Sequence, residues 1–367
     1  MGLSSSPEGQ ITLDMAETAR RAFIATLVAV GVVVLVLALW KLKLVLGLLF
    51  LAFTLTAAMR PGVDALHRRR VPRAIGVLVH YVLLAAAIGL FLWIVVPRAV
   101  QQVDNAVRSV PTTSSQIGSA AQHSSGIKHD FLIGLQRRLT KLPRASSLVR
   151  PALHLTVAAF EALIATFFVL AAAAYWIFER DRMIDYVCAL IPRPRRKTVR
   201  DTWHLIDLKL GAYVRGQGLL IVVVGTILSL AFWAIGEPYW ILVGIFAGLV
   251  EIIPVIGPLA AASLAVAVGF TASLHVALLA AACVLAVRLC EDYLVMPRIL
   301  GDAVGLSPLL VLVSVTAMGI LFSGWAVLFA VPLAAVLVTL FDVILRDVDP
   351  AEQDVPSVIF TPRESEA

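Results

Sequence analysis

The sequence predicts an all-α polytopic transmembrane protein. Of its 367 residues, 60% are hydrophobic and 15% are charged, and the mean hydropathy is +0.93. Long uncharged runs recur along the chain, and Lys and Arg lie in short clusters beside them, as at the ends of membrane spans. The net charge of +6 therefore indicates membrane topology rather than binding to nucleic acid. Within this class we expect broken or re-entrant helices in the C-terminal half and a small external helical segment between spans 3 and 4.

Apolar runs within residues 23–96 predict the first three transmembrane helices. Residues 1–22 are polar, and the apolar run that follows is too long for the core of a secretory signal, so it is expected to remain as the first span. The short loop 60–73 is rich in arginine, and loops this basic stay in the cytoplasm. The N-terminus is therefore expected inside, and the third span is expected to end outside.

Residues 97–154 are the least hydrophobic part of the chain and predict an external amphipathic and Ser-rich segment. Its valines recur at three- and four-residue steps from Val100 to Val110, which is the period of one helical face. The fourth span, residues 155–178, carries Glu161, and a carboxylate within a span is by default a candidate for function. Pairing with an outer cation such as Arg150 explains Glu161 equally well.

Residues 179–215 predict a basic cytoplasmic link. Within it, residues 199–210 place apolar side chains on one face and charges elsewhere, which is typical of a helix that lies in the membrane interface. His204 and Asp207 lie three residues apart on this helix, but no nucleophile motif accompanies them. They are expected to be polar surface residues.

Residues 216–346 predict the membrane core, and its most unusual part contains Glu251 followed by Pro254, Gly257 and Pro258. Proline removes a backbone donor, so a helix must break or kink there and leave carbonyl groups unsatisfied. In lipid such a break is stable only where it is buried in protein or lines a water-filled cavity. These four residues are therefore predicted to line a path through the membrane.

The length of the stretch around Glu251 predicts that it folds as two helical segments, or legs. A continuous helix from Pro238 to Leu274 would extend more than about 50 Å, whereas the hydrocarbon layer is about 30 Å thick. The legs are either two full spans or a re-entrant hairpin. Residues 304–345 are also too long for one crossing, and we predict hinges at Gly305, Pro308, Gly319, Gly324 and Pro332.

The run from His275 to about Leu294 ends in charged residues. Residues three and four apart share a helix face, so Arg288 can pair with Glu291 or with Asp292. Such pairs either neutralise one another near the inner interface or form a gate. With the turn that follows, the predicted inner mouth or gate consists of Arg288, Glu291, Asp292, Pro297, Arg298 and Gly301.

The remaining features exclude several classes of protein. Residues 347–367 are acidic and are expected to form a disordered cytoplasmic tail. The three cysteines form no C-x-x-C pair, and no metal site and no cofactor are predicted. The chain contains no G-x-x-x-x-G-K-[ST], H-E-x-x-H or G-x-S-x-G motif, so we expect neither ATP hydrolysis nor another enzymatic activity.

Several motifs together carry a family resemblance. In chain order they are Ala212-Tyr-Val-Arg-Gly-Gln217, Gly248-Leu-Val-Glu-Ile-Ile-Pro254-Val-Ile-Gly257-Pro258, Glu291-Asp-Tyr-Leu-Val-Met-Pro297-Arg-Ile-Leu-Gly301, Leu306-Ser-Pro308-Leu and Ala330-Val-Pro332-Leu. Their order and spacing resemble the autoinducer-2 exporter family of bacterial membrane transporters. The chain departs from the family at Val327, where relatives often have a second glycine, and at Met318-Gly319, where they often have a double glycine.

The resemblance implies a homo-oligomeric permease of the bacterial inner membrane. Some relatives are associated with export of autoinducer-2, a quorum-sensing signal, and others with sodium/proton antiport. The N- and C-termini are expected in the cytoplasm, and Arg215, Gln217 and Glu161 are further candidates for the path.

The residues and the resemblance lead to one main hypothesis. The protein is expected to be a gradient-driven or facilitative exporter of a small polar molecule of the autoinducer-2 type. Its expected partners are that solute, the lipid bilayer, further copies of the chain and a proton or sodium ion, with no nucleic acid. One alternative is a sodium/proton antiporter. Another is a non-transporting membrane scaffold, since Pro and Gly in membrane helices also serve close packing.

Overall fold

Helices form all the regular secondary structure in the described residues of the computed structural model, which are 7–109, 149–254, 256–295, 305–322, 324–353 and 355. The all-α prediction is therefore confirmed. The α-helices are α1 (Pro7–Lys41), α2 (Lys43–Arg68), α3 (Arg73–Ser109), α4 (Val149–Ala189), α5 (Arg196–Ala234), α6 (Trp240–Val250), α7 (Ile256–Ala272), α8 (Leu274–Cys290), α9 (Pro308–Phe322) and α10 (Ala330–Leu345).

Seven segments of the described chain are long and apolar enough to cross a membrane, which makes this a multi-pass membrane protein. They are Arg20–Lys41, Lys43–Arg68, Arg73–Arg98, Val157–Ala189, Arg193–Ala234, Leu274–Tyr293 and Gly324–Leu345. Helices α6, α7 and α9 are apolar but shorter.

The chain divides into two compact units, Met1–Phe50 and Leu51–Ala367. The first unit contains α1, which begins at Pro7 although the sequence predicts a loose polar segment there. The reason is composition, because Glu, Gln, Leu, Met and Ala in this stretch favour a helix even without an apolar run.

In the second unit, α2, α3 and α4 are joined by side-chain hydrogen bonds to backbone carbonyls. Thr56 donates to the carbonyl of Ala173 at 3.0 Å, and the Tyr81 hydroxyl donates to the carbonyl of Leu170 at 2.6 Å. Helix α3 continues through Pro97 to Ser109, and α4 is longer than the predicted span at both ends. The Ser-rich part of the predicted external segment lies outside the described residues.

Helix α5 continues without a turn from Arg196 to Ala234, so the predicted interfacial helix is continuous with the apolar span that follows it, and its position in the interface stays a prediction. The cause is packing, because Leu210 is fully buried beside Ala57 of α2 and Gly211 lies directly against the Ala57 carbonyl. His204 is exposed as expected, but the expectation of a surface position is wrong for Asp207. Asp207 is buried and pairs with Arg180 and with Arg60, the latter at 3.1 Å.

Helices α5 to α8 share the main apolar cluster, which comprises Val224, Leu228, Phe232, Val243, Ala247, Ala261, Ala265, Ala280 and Val284. Small residues bring α5 and α6 together. A Cβ atom added at Gly248 would lie 2.7 Å from Gly225 Cα, and one added at Gly244 would collide with Ser229. Spacing of small residues by four is a known route to close packing of membrane helices, and it fixes α6 against α5.

Helices α6 and α7 form the two legs that the sequence predicts. With 11 and 17 residues they are about 16 and 25 Å long, each shorter than a hydrocarbon layer of about 30 Å. In the last apolar stretch, a 3₁₀ segment from Gly324 to Phe329 separates α9 from α10. Gly319 lies within α9 and Pro332 lies in the first turn of α10, so the interruption falls at Gly324.

The start of the C-terminal tail contacts the membrane core. Pro350–Glu352 forms a 3₁₀ turn in which Pro350 is buried. Lys209 of α5 donates hydrogen bonds to Gln353 at 2.8 Å and to Thr339 of α10 at 3.3 Å. Residues 350–353 are therefore ordered, in contrast to the predicted disorder of the tail, because they pack against the core and Gln353 has a hydrogen-bond partner on α5.

Candidate functional site

The helix break that the sequence predicts lies between α6 and α7. Helix α6 ends at Val250, and Ile253 N–H donates back to the Val250 carbonyl at 3.0 Å. Gly257 N–H donates to the Ile253 carbonyl at 2.8 Å, and a Cβ atom at Gly257 would collide with the Val250 carbonyl. Glycine is therefore required at position 257 for the backbone to reverse so tightly.

Glu251 is the buried charge at this break, with its side chain 7% exposed. Its Oε1 accepts a hydrogen bond from Arg288 Nη1 of α8 at 3.1 Å. Arg288 also contacts Glu291 at 3.3 Å and Asp292 at 2.9 Å, which are the two pairs that helical spacing allows. The site therefore joins a residue of the predicted path to residues of the predicted inner mouth.

The Glu251–Arg288 cluster carries a surplus of acid. Among the described residues, one guanidinium contacts three carboxyl groups, so the cluster has a net charge of −2 when all three acids are ionised. Buried carboxylates without enough cations are unstable in an apolar surrounding. The arrangement therefore favours binding of a proton or contact with a solute that donates hydrogen bonds.

Gln217 completes the site from α5. Its buried side-chain Nε2 donates to the backbone carbonyl of Glu251 at 2.9 Å. The break frees this carbonyl from helical hydrogen bonding, and Gln217 satisfies it. Arg215 donates to carbonyls of α2, at 3.2 Å to Ala58 and at 3.5 Å to Ala57.

The other predicted site residues are placed as follows. Pro254 is part of the turn, and Pro258 lies in the first turn of α7, both partly buried. Glu161 is exposed on α4. Gly305 has a φ of 60°, and Pro308 begins α9. Pro297, Arg298 and Gly301 lie outside the described residues, and the roles assigned to all these residues stay predictions.

Sequence reasoning missed two features near the site. The first is the pair Gly244 and Gly248, whose G-x-x-x-G spacing in an apolar stretch is a signal for close helix packing. The second is Glu237, which lies in the turn between α5 and α6 and is buried. No pattern in the sequence distinguishes Glu237 from an ordinary loop carboxylate. In the part of the chain that the structure covers, no group of three or more His, Cys, Asp or Glu side chains could hold a metal ion.

Comparison with known proteins agrees with the fold and with the motifs. The chain matches the family described as "AI-2E family transporter" over residues 27–346. It is 25% identical to the "Putative transport protein YrrI" of Bacillus subtilis (strain 168) over 294 residues, which cover 79% of this chain and 83% of that protein.

Two further relatives have similar descriptions. The "Putative transport protein MT0215" of Mycobacterium tuberculosis (strain CDC 1551 / Oshkosh) is 25% identical over 87% of this chain and 88% of its own length. The "Putative permease PerM" of Escherichia coli (strain K12) is 24% identical over 43% of this chain and 45% of its own length. With the family match over residues 27–346, these findings confirm the resemblance seen in the motifs, and the chain belongs to the AI-2E transporter family.

Proposed function

We propose that this protein exports a small polar molecule of the autoinducer-2 type across the bacterial cytoplasmic membrane, by facilitated or gradient-driven transport. The observation that carries the proposal is the buried contact of Glu251 with Arg288 at 3.1 Å, beside the break between α6 and α7. A polar solute needs donors and acceptors in an otherwise apolar layer. The Glu251–Arg288 cluster and Gln217 offer both at one place.

The depth of the break supports the proposal. Helix α6 is about 16 Å long, so its end lies near the middle of a hydrocarbon layer of about 30 Å when its start lies at the surface. The C-terminal end of α6 and the N-terminal end of α7 carry opposite helix-dipole charges, and transporters with interrupted helices bind solutes and ions at such ends. The break is therefore where a solute would be recognised.

The basic loop 60–73 supports a cytoplasmic position for both termini, and homo-oligomeric assembly rests on the family resemblance. The family match and the relatives described as transport proteins or permeases support transport as the class of function. The solute and the outward direction of flux belong to the proposal.

The test is flux of autoinducer-2 in vesicles that contain the Glu251→Gln variant. We expect flux to fall by at least about tenfold, since the variant removes the charge that Arg288 contacts, and tenfold corresponds to about 1.4 kcal/mol. The matched control is Glu352→Gln, which neutralises an exposed carboxylate in the tail. Unchanged flux in Glu251→Gln at normal protein levels would remove Glu251 from the mechanism.

The surplus of carboxylates around Arg288 favours a second candidate, sodium/proton antiport. A pH-sensitive dye inside vesicles separates the two functions. An antiporter moves protons when sodium is added in the absence of an organic solute, whereas a solute exporter leaves the dye signal unchanged under that condition.

A further inference from the structure

A second buried carboxyl group lies at the opposite end of α6 from Glu251. Glu237 is 2% exposed, and neither of its side-chain oxygens has a hydrogen-bond partner among the described residues. Carboxylates are almost never fully buried unless they are paired. An unpartnered buried carboxyl group therefore indicates a functional role rather than a contribution to stability.

The backbone turn holds Glu237 in this position. Gly236 has a left-handed φ of 72°, and Tyr239, which precedes α6, has a left-handed φ of 56°. The Glu237 N–H donates to the Phe232 carbonyl at 2.9 Å, which closes the end of α5. The backbone therefore has a defined conformation on both sides of Glu237, and the Glu237 side chain lies in the protein interior.

The surroundings of the carboxyl group are formed by α7 and α8. A Cβ atom at Gly269 of α7 would lie 3.1 Å from Glu237 Oε2 and 2.8 Å from the Cα atom of Ala277 of α8. The carboxyl group therefore lies beside Gly269, near the turn that joins α7 to α8, where the residue on α7 has no side chain. A larger residue at position 269 would displace it.

The charge of an ionised Glu237 would be uncompensated. Among the described residues, the titratable group that interacts with it electrostatically is the Cys283 thiol of α8, which supplies no positive charge. His275, near the start of α8, is exposed. Glu237 lies in a turn outside the spans, and burial raises the pKa of its carboxyl group to about 7.

We propose that Glu237 is a proton-binding site, whose carboxyl group holds the proton in the protein interior beside Gly269 of α7. A proton fits this site better than a metal cation does, because one carboxyl group and one thiol supply too few ligands. Binding of the proton is independent of the proposed export function. Coupling of that proton to solute flux rests on the proposed function.

The first experiment measures proton binding directly. We would titrate purified protein in detergent between pH 5.5 and 8.5 and compare it with Glu237→Gln and with Glu352→Gln, whose carboxyl group is exposed. The parent and Glu352→Gln are expected to take up one proton more than Glu237→Gln, with a midpoint near pH 7. Equal uptake by all three proteins overturns the proposal.

A second experiment needs no variant and so does not depend on the folding of Glu237→Gln. Dicyclohexylcarbodiimide reacts with protonated carboxyl groups in apolar surroundings, and mass spectrometry of peptides locates the modified residue. We expect labelling of Glu237 at pH 6 that falls about tenfold by pH 8, as the protonated fraction of a group with a pKa of about 7 does. Absence of labelling at pH 6 overturns the site, and protection by sodium chloride relative to choline chloride overturns the assignment of the proton as its ligand.

Vesicle flux separates this inference from the proposed function. If Glu251→Gln loses autoinducer-2 flux and Glu237→Gln loses only the dependence of flux on a pH gradient, the proton at Glu237 is coupled to export. If Glu237→Gln keeps that dependence, coupling is wrong while export stands. If the parent protein shows no flux, export is wrong, and the titration alone decides whether Glu237 binds a proton.

Discussion

The two ends of α6 place a buried carboxyl group in opposite circumstances. At the C-terminal end, Glu251 contacts Arg288 at 3.1 Å, and its backbone carbonyl accepts a hydrogen bond from Gln217. At the N-terminal end, Glu237 is as deeply buried but has no hydrogen-bond partner for its carboxyl oxygens among the described residues. Two acids 14 positions apart thus differ in whether a cation accompanies them.

The difference shows that burial alone does not decide the charge of a carboxyl group. At the Glu251 end, Arg288 also contacts Glu291 and Asp292, so its guanidinium compensates only part of the negative charge of these three acids. Without such a partner, Glu237 favours the neutral acid. We therefore propose the Glu251 end of α6 for contact with a polar solute and the Glu237 end for binding of a proton.

Removing the cation at the Glu251 end should have the largest effect. Arg288→Met leaves two buried carboxylates without their partner, and we expect the free energy of unfolding to fall by about 3 kcal/mol. Thermal unfolding of the purified protein in detergent measures it. The control is Arg346→Met, which removes an exposed pair with Asp342 and should cost less than about 1 kcal/mol. Equal losses in the two variants would contradict the importance of burial at this end.

The next effect concerns the dependence of stability on pH at the Glu237 end. The pKa of Glu237 is raised from 4.5 to about 7, so as pH rises the unfolded chain loses this proton before the folded protein does. This contribution to stability is complete below pH 4.5, falls between about 4.5 and about 7, and stays low above that range. At pH 8, Glu237→Gln should unfold at higher temperature than the parent, by about 3 kcal/mol in free energy.

The control for this prediction is the same pair of measurements at pH 4.5, where both proteins carry a neutral side chain at position 237 and should have similar stability. A pH profile of Glu237→Gln parallel to that of the parent would show that Glu237 is not the titrating group.

A smaller effect is expected at the close contact between α5 and α6. Gly248→Ala would place a Cβ atom 2.7 Å from Gly225 Cα of α5, and we expect a loss of about 1.5 kcal/mol from this overpacking. Gly218→Ala is the matched control, because no atom lies within 4 Å of the added methyl group. It should be neutral or stabilising by up to about 1 kcal/mol, as alanine favours a helix over glycine. Destabilisation of the same size by both variants would argue against the close α5–α6 contact.

Much of the fold follows from the sequence because membrane spans are recognised by length and hydropathy. The break at Glu251 to Gly257 and the pairing of Arg288 with Glu291 and Asp292 follow from proline chemistry and helical spacing. The contact between Glu251 and Arg288 does not, since the two residues are 37 positions apart and belong to different helices. No local pattern states which helices will meet.

Contacts between helices also explain the burial that the sequence did not predict. Residues 199–210 have the amphipathic pattern of an interfacial helix, which remains a prediction, and the structure adds that their apolar face packs against α2 and that α5 continues unbroken. The sequence predicts a surface position for Asp207, but Arg60 and Arg180, which belong to other helices, pair with it in the folded protein. The burial of Glu237 likewise depends on tertiary structure, since Gly269 of α7, which lies beside it, is 32 positions away in the chain.

The unbroken course of α5 has a mechanical consequence. Asp207, held by two arginines, and Gln217, bound to the helix break, lie about 15 Å apart on one continuous rod. A continuous helix is stiff, so a tilt of α5 at Asp207 would also move Gln217 at the helix break. The end of α5 that contains Asp207 is therefore rigidly connected to the helix break at Glu251.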